Sequence, residues 1–319
     1  MYENLEQLEE KYEVKEFPLN IIIEPGNFCN LNCTTCVNNK LTRPKGSMNI
    51  LLYKKIIDEI AAVNPYTRVW LDFYGEPLLQ KFKLFYMIDY AKKKGIRNID
   101  INTNGTLLDA EMAEMLLDSG ISFISIDCDG FSKEVYEGIR IGANRDKLYG
   151  NIEYILQRKK ERGLSSPIIE VKIMEMEENK NEIDQVMKYW RERGAWTTKR
   201  RLISWGGQCD TISMEVPQKR IACGNAIGIM AITWDGKVVN CVMDVDNKYE
   251  LGDVNKDSIK DIWAKHNKVL AYKHMEHKWD ELPEICRECN DWAIIGEERF
   301  DEMGEPVTKN YSHTKEMLK

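Results

Sequence analysis

Between residues 19 and 204 the chain alternates short strand-like runs with helical segments, and that rhythm leaves few folds open to it. Runs suited to buried strands stand at Leu19–Ile23, Arg68–Phe73, Asn98–Asn102, Phe123–Asp127, Ile168–Ile173 and Arg201–Ser204. In the gaps, apolar residues recur at helical spacing: Leu52, Ile56, Ile57 and Ile60, then Leu84, Met87, Ile88 and Ala91, and later Ile183, Val186, Met187 and Trp190. Asp109 is placed to cap a helix carrying Met112, Met115 and Leu116, and Gly95, Gly120 and Gly194 are placed to end helices. Strands alternating with helices predict an α/β fold with a parallel sheet, and right-handed crossovers curl six such units into a partial (β/α)6 TIM-type barrel. Ligands of these folds bind beyond the carboxyl ends of the strands.

Nine cysteines fall unevenly on this frame. Cys29, Cys33 and Cys36 follow the first strand, and Cys223, Cys241, Cys286 and Cys289 form a second group beyond the barrel. Cys128 and Cys209 stand apart. Residues 1–15 are expected to form a polar helix, 16–210 the barrel, 211–295 a small second module and 296–319 a charged surface tail. A cube of iron and sulfide has four corners and normally takes four thiolates. Three clustered ligands leave one iron free, whereas a structural zinc site would take a fourth Cys or His nearby, and no His precedes His266.

The spacing Cys29-x3-Cys33-x2-Cys36 resembles the signature of the radical S-adenosylmethionine (SAM) enzymes. Further runs at strand ends carry the same resemblance over roughly residues 16–205: Tyr74-Gly75-Glu76-Pro77, Asn102-Thr103-Asn104-Gly105, Ser125-Ile126-Asp127 and Gly138-Ile139-Arg140. In that family the open iron of a [4Fe-4S] cluster chelates SAM, whose reductive cleavage yields a 5′-deoxyadenosyl radical. The resemblance implies that Tyr74, Gly75 and Glu76 approach the methionine amino group, with Tyr74 where the family has a glycine. It further implies that Asn104 exposes backbone to the ligand, that Ser125 and Asp127 bind the ribose or its surroundings, and that Arg140 meets the methionine carboxylate. The family usually has an aromatic residue before the third cysteine. Here that position is Thr35, which makes Phe28 the candidate for packing on adenine.

The second group, with Gly236 before Cys241 and the runs Leu251-Gly252-Asp253-Val254 and Ile259–Trp263, resembles the SPASM extension of the family. A full SPASM domain carries three further cysteines, and none follows Cys289. The shortened form is similar to a twitch domain with one auxiliary [4Fe-4S] cluster; a zinc ribbon would use the same four thiolates.

A net charge of −7 argues against binding to nucleic acid or anionic membrane. No apolar run reaches the roughly 18 residues of a membrane span, and the acidic start Met1-Tyr2-Glu3 is unlike a signal peptide, so a cytoplasmic enzyme is expected. A closed auxiliary cluster can accept one electron, which fits oxidation of an alcohol on a sugar, aminocyclitol, nucleotide sugar or other polyol, with a flavodoxin or ferredoxin as external donor. Two readings compete: a redox-neutral epimerase or dehydratase with Cys128 or Cys209 returning a hydrogen atom, and a peptide-modifying SPASM enzyme. Lys199-Arg200-Arg201 is read as the start of the sixth strand, with alternation turning Arg200 opposite to its neighbours. Cys33→Ala is expected to abolish SAM cleavage, whereas Cys223→Ala spares some uncoupled cleavage and impairs turnover. Release of 5′-deoxyadenosine by the two anaerobically reconstituted variants checks this, and equal cleavage by Cys33→Ala and wild type contradicts it.

Overall fold

The computed structural model describes residues 9–10, 12–208, 219–293 and 298–305. Six parallel strands build the barrel: β1 (Asn20–Ile23), β2 (Arg68–Trp70), β3 (Ile99–Thr103), β4 (Phe123–Asp127), β5 (Ile168–Glu175) and β6 (Trp196–Arg201). The helices α1 (Ile50–Val63), α2 (Phe82–Lys93), α3 (Ala110–Asp118), α4 (Lys133–Ile139), α5 (Arg145–Glu161) and α6 (Ile183–Arg191) lie between them in the chain. The fold is the partial α/β barrel expected of the sequence. Asp109 caps α3 by accepting a hydrogen bond from the Met112 N–H. Gly95, Gly120 and Gly194 follow α2, α3 and α6 at φ of +88°, +76° and +90°, where a Cβ would be strained.

The two faces of the sheet differ in chemistry. Ile99, Ile101, Ile124, Ile126, Ile169, Val171 and Ile173 face the helices and form the main core with residues such as Ile57, Met87, Leu116, Ile152 and Trp190. The opposite face lines the barrel and is polar, with Asp100 and Asn102 on β3, Ser125 and Asp127 on β4, and Glu170 and Lys172 on β5 in register. Low in the barrel Arg68 pairs with Asp100, and the Glu170 carboxylate accepts from Ser125 Oγ at 2.7 Å and from Thr198 Oγ1.

Two features depart from the sequence expectation. β6 begins five residues earlier than predicted, so Lys199, Arg200 and Arg201 end the strand. The polar pair Thr197 and Thr198 disguised it, although β-branched threonine suits a strand flanked on both sides. Part of the expected surface tail forms β10 (Glu298–Phe300), antiparallel to β6, and Arg299 Nε reaches Glu170 Oε1 at 2.7 Å. Of the expected N-terminal helix, residues 1–8 and 11 lie outside the described residues; Tyr12 packs with Ala222, Ile227 and Ala271.

The sheet also continues past β1. β7 (Ile229–Ile232) pairs with β1 in parallel, and β8 (Lys237–Val239) and β9 (Glu250–Asp253) follow antiparallel. The second cysteine group is therefore built on the same sheet as the barrel. Among the described residues no helix is long and apolar enough to cross a membrane.

Arg299 is the cation that offsets the buried Glu170 carboxylate. Arg299→Met is expected to destabilise the protein by about 2 to 4 kcal/mol, because an unpaired charge would remain in the barrel. Adding Glu170→Gln should recover most of that loss, as urea denaturation of the single and double variants would measure.

Candidate active site

The chain leaves β1 at Ile23 and enters the loop bearing the first cysteines. Its shape depends on contact with the end of β2. The Glu76 N–H donates to the Phe28 carbonyl at 2.8 Å, and a Cβ on Gly75 would lie 2.1 Å from the Gly26 carbonyl oxygen. Glycine at position 75 is thus required by close backbone approach. Asn27 is buried and braces the loop, accepting from the Gly46 N–H at 2.8 Å and donating to the Pro44 carbonyl at 2.9 Å.

Cys29, Cys33 and Cys36 lie within electrostatic reach of one another. Burial pushes all three thiols up, Cys36 to about 11. A deprotonated trio at this position therefore needs a positive partner, which bound metal supplies. Donors already point at the sulfurs: the Asn38 N–H at 3.4 Å from Cys36 Sγ, Arg140 Nη1 at 3.8 Å from Cys33 and Asn104 Nδ2 at 3.9 Å from Cys29. Hydrogen bonds of this kind support cluster sulfurs.

Glu76 ties the ends of β2 and β3 together. Its carboxylate accepts from the Leu78 N–H at 3.0 Å, the Asn104 N–H at 2.9 Å and Thr103 Oγ1 at 2.7 Å. Burial raises it to about 7 despite these three donors. Asn104 Nδ2 in turn donates to Asn30 Oδ1 at 3.1 Å, which joins the β3 turn to the cysteine loop. Phe28 is 49% exposed on that loop, so its ring is available to a ligand.

Behind the loop lies a charged cluster at the carboxyl ends of β4 and β5. Arg140 Nε donates to Asp129 Oδ2 at 2.6 Å, and its Nη1 reaches Asp127 Oδ2 at 3.2 Å. The fork expected to meet the methionine carboxylate is engaged by Asp129 and Asp127 while it touches Cys33. Lys172 Nζ lies 3.1 Å from Asp127 Oδ1 and donates to Asn102 Oδ1 at 2.9 Å; Asn102 Nδ2 donates to Asp72. Burial would raise Asp127, but Lys172 and Arg140 outweigh it and hold the carboxyl below its usual range, with Arg200 adding to the effect. Burial lifts Asp72 to about 6.

Sequence reasoning missed Lys172, Asp72, Asn102 and Asp129. Lys172 sits between Val171 and Ile173, both wholly buried, and a lysine at the alternate position of such a strand must face a polar interior. Ser125 faces inward, is 1% exposed and donates to Glu170. Cys128 turns the other way, into the core between sheet and helices. It is fully buried beside Tyr149 and Trp190, with Sγ 3.8 Å from the Gly130 carbonyl, and does not face the cavity as its place after β4 had suggested. Cys209 lies outside the described residues.

The four later cysteines form a second charge-coupled group, with Cys241 sensing Cys223, Cys286 and Cys289. Each of three sulfurs has a placed donor: the Met243 N–H at 3.4 Å from Cys241, Asn240 Nδ2 at 3.5 Å from Cys286 and the Asp291 N–H at 3.2 Å from Cys289. Cys223 precedes a short helix, Gly224–Gly228, whose backbone N–H groups point back at it. Tyr74 reaches this region, its hydroxyl donating to the Val242 carbonyl at 2.6 Å.

The radical SAM superfamily profile matches residues 23–189, and the profile of an iron–sulfur cluster-binding domain, SPASM, matches residues 223–290. The chain belongs to the radical SAM superfamily. A radical SAM enzyme of this composition carries a SAM-binding [4Fe-4S] cluster and an auxiliary iron–sulfur site. The S-adenosyl-L-methionine-dependent 2-deoxy-scyllo-inosamine dehydrogenase of Niallia circulans is 24% identical over 88% of this chain and 96% of its own. A tungsten-containing aldehyde ferredoxin oxidoreductase cofactor-modifying protein of Pyrococcus furiosus is 23% identical over 76% of this chain and 80% of its own. The fold matches BtrN in complex with AdoMet and 2-DOIA at a TM-score of 0.65 and 21% identity, over 92% of this chain and 100% of that one. It also matches Streptococcus suis SuiB bound to its precursor peptide SuiA, at a TM-score of 0.67 and 12% identity, over 90% of this chain and 73% of that one.

A SAM ammonium held by Glu76, as the family resemblance implies, would need the carboxylate form. Because the free carboxyl titrates near 7, binding at lower pH must first remove its proton. SAM affinity is expected to fall by up to about tenfold for each unit below that value and to level off above it. Glu76→Gln should flatten the profile, as calorimetric titration of the oxidised holoenzyme would reveal; an unchanged slope would exclude Glu76 as the titrating group.

Proposed function

We propose that this radical SAM enzyme oxidises a secondary alcohol of a sugar, aminocyclitol or related polyol to a ketone. In this reading residues 16–210 are the catalytic barrel and 211–295 a twitch-type module. Cys29, Cys33 and Cys36 hold the SAM-binding cluster, and Cys223, Cys241, Cys286 and Cys289 hold one closed auxiliary cluster. The observation that carries the reading is the inward array Asp127–Lys172–Asn102–Asp72, which lies beside Cys33 through Arg140. It offers hydrogen-bonding groups of both signs to a small polar molecule. The name of the Niallia circulans relative, a dehydrogenase matched over nearly its whole length, supports the same chemistry.

When bound, SAM and the two clusters supply a 5′-deoxyadenosyl radical and an acceptor for one electron. The protein's own part is to place the alcohol and take its proton. Asp127, kept ionised by Lys172 and Arg140, accepts a hydrogen bond from a hydroxyl group. The Lys172 ammonium sits where negative charge grows on the oxygen as that proton leaves, and a fixed cation there lowers the cost. Asp72, titrating at about 6 and joined through Asn102, is poised as the proton's resting place near neutral pH. Hydrogen atom, proton and electron together account for the two-electron oxidation. An external flavodoxin or ferredoxin supplies the electron that starts turnover.

A substrate deuterated at the carbinol carbon tests the proposal. The expected products are a ketone and 5′-deoxyadenosine carrying that deuterium. An inverted alcohol containing solvent deuterium would instead establish epimerisation, with Cys209 the remaining thiol to examine, and a cross-linked peptide would establish the peptide-modifying reading. Lys172→Met is expected to lower kcat by about 10²-fold or more while leaving SAM affinity near wild type.

A further inference from the structure

Tyr74 occupies the place of a family glycine, and its side chain does what a glycine could not. The residue is 4% exposed and lies in a small apolar cluster with Val37, Val245, Phe73, Leu41 and Trp205, set between the two cysteine loops. Its backbone belongs to the first loop: the Tyr74 carbonyl accepts from Asn38 Nδ2 at 2.6 Å, and the Asn38 N–H donates to Cys36 Sγ at 3.4 Å. Its hydroxyl belongs to the second, donating to the carbonyl of Val242, the residue bonded to Cys241. A path of covalent and hydrogen bonds therefore joins Cys36 to Cys241 through the side chains of Asn38 and Tyr74.

A second connection runs beside it. Trp205 lies beside Tyr74, with ring centroids 5.9 Å apart and planes tilted by 43°, and its Nε1–H donates to the Thr35 carbonyl at 2.9 Å. Asp291 holds this turn from the other side, accepting from the Ser204 and Gly206 N–H groups at 2.7 and 2.8 Å, while its own N–H donates to Cys289 Sγ. Trp205 adopts φ of +54°, an unfavourable conformation for a tryptophan that the two flanking hydrogen bonds maintain.

We propose that Tyr74 is a positioning residue that couples the two sites, so that SAM held at the first loop and the order of loop 241–246 favour each other. Coupling of this kind is reciprocal: whatever SAM binding does to the second loop, ordering of the second loop does to SAM affinity. The inference rests on SAM binding at the first cysteine loop and is independent of which substrate is oxidised.

Hydrogen–deuterium exchange on the reconstituted, oxidised holoenzyme with and without SAM tests it. In the wild type, SAM is expected to slow exchange in residues 28–36 and also in 241–246. Tyr74→Phe keeps the ring and loses one hydroxyl. It should retain its iron and the protection at 28–36, lose the protection at 241–246, and bind SAM about threefold to tenfold more weakly. Protection confined to 28–36 in the wild type would overturn the proposal, as would Tyr74→Phe transmitting protection undiminished. If SAM protects neither segment, the assignment of the SAM site fails instead. Should Tyr74→Phe not hold its iron, the wild-type comparison of the two segments decides alone.

Discussion

Charge placed inside a parallel barrel must be paired there, and the strand register of this protein does the pairing. Successive inward positions on β3, β4 and β5 stand side by side, so Asn102 meets Ser125, Ser125 meets Glu170 and Asp127 meets Lys172. A slip of one residue would turn each carboxylate into the helix-packed core and each isoleucine into the cavity. The polar interior thus helps to fix the fold as well as to equip the site. The short strand at the sheet's far edge takes part in this pairing: β10 carries the arginine that pairs with Glu170.

β1 has the other controlling position. It pairs with β2 on one side and with β7 on the other, so the first cysteine loop leaves the sheet between the barrel and the second module. The Glu24 N–H donates to the Ile232 carbonyl at 2.9 Å just as the loop begins. The Glu24 carboxylate, wholly buried, holds Arg43 through both oxygens and accepts from the Trp234 N–H at 3.1 Å. Arg43 continues to the Val245 carbonyl at 2.9 Å. The two cysteine regions are therefore anchored to neighbouring strands of one sheet, and their juxtaposition follows from strand order.

Much of this was legible in the sequence, and what was not has identifiable causes. β4 runs over Phe123–Asp127 as its alternation indicates, and the cysteine loop stands at the ligand-binding end as its place after β1 requires. β6 and β10 were hidden because their residues are polar or charged, and their partners are distant in the chain: Arg299 meets Thr198, and Glu302 accepts from Trp196 Nε1. Lys172 and the facing of Cys128 both follow from simple alternation: the pleat turns Lys172, which was overlooked, into the barrel, and Cys128, whose place after β4 suggested the cavity, into the helix-packed core.

Departures from a family pattern carry information when they are compensated. Thr35 lacks the aromatic ring usual before the third cysteine, and Tyr74 adds a ring where a glycine is usual. The two changes meet in one place. Trp205 donates to the Thr35 carbonyl, and Tyr74 packs against Trp205. A bulkier side chain at position 74 is tolerable because Gly75, next to it, still permits the close approach to Gly26 that shapes the loop. The ring is directed away from that contact toward residues 242–245, where it is enclosed by Val37 and Val245 and lies under the Arg43 guanidinium, 5.4 Å from the ring centre. Burying a tyrosine hydroxyl without a partner would cost about 1 to 3 kcal/mol, and the Val242 carbonyl removes that cost. The substitution is thus integrated with the second module, which is the physical reason to regard the two cysteine sites as one cooperative unit.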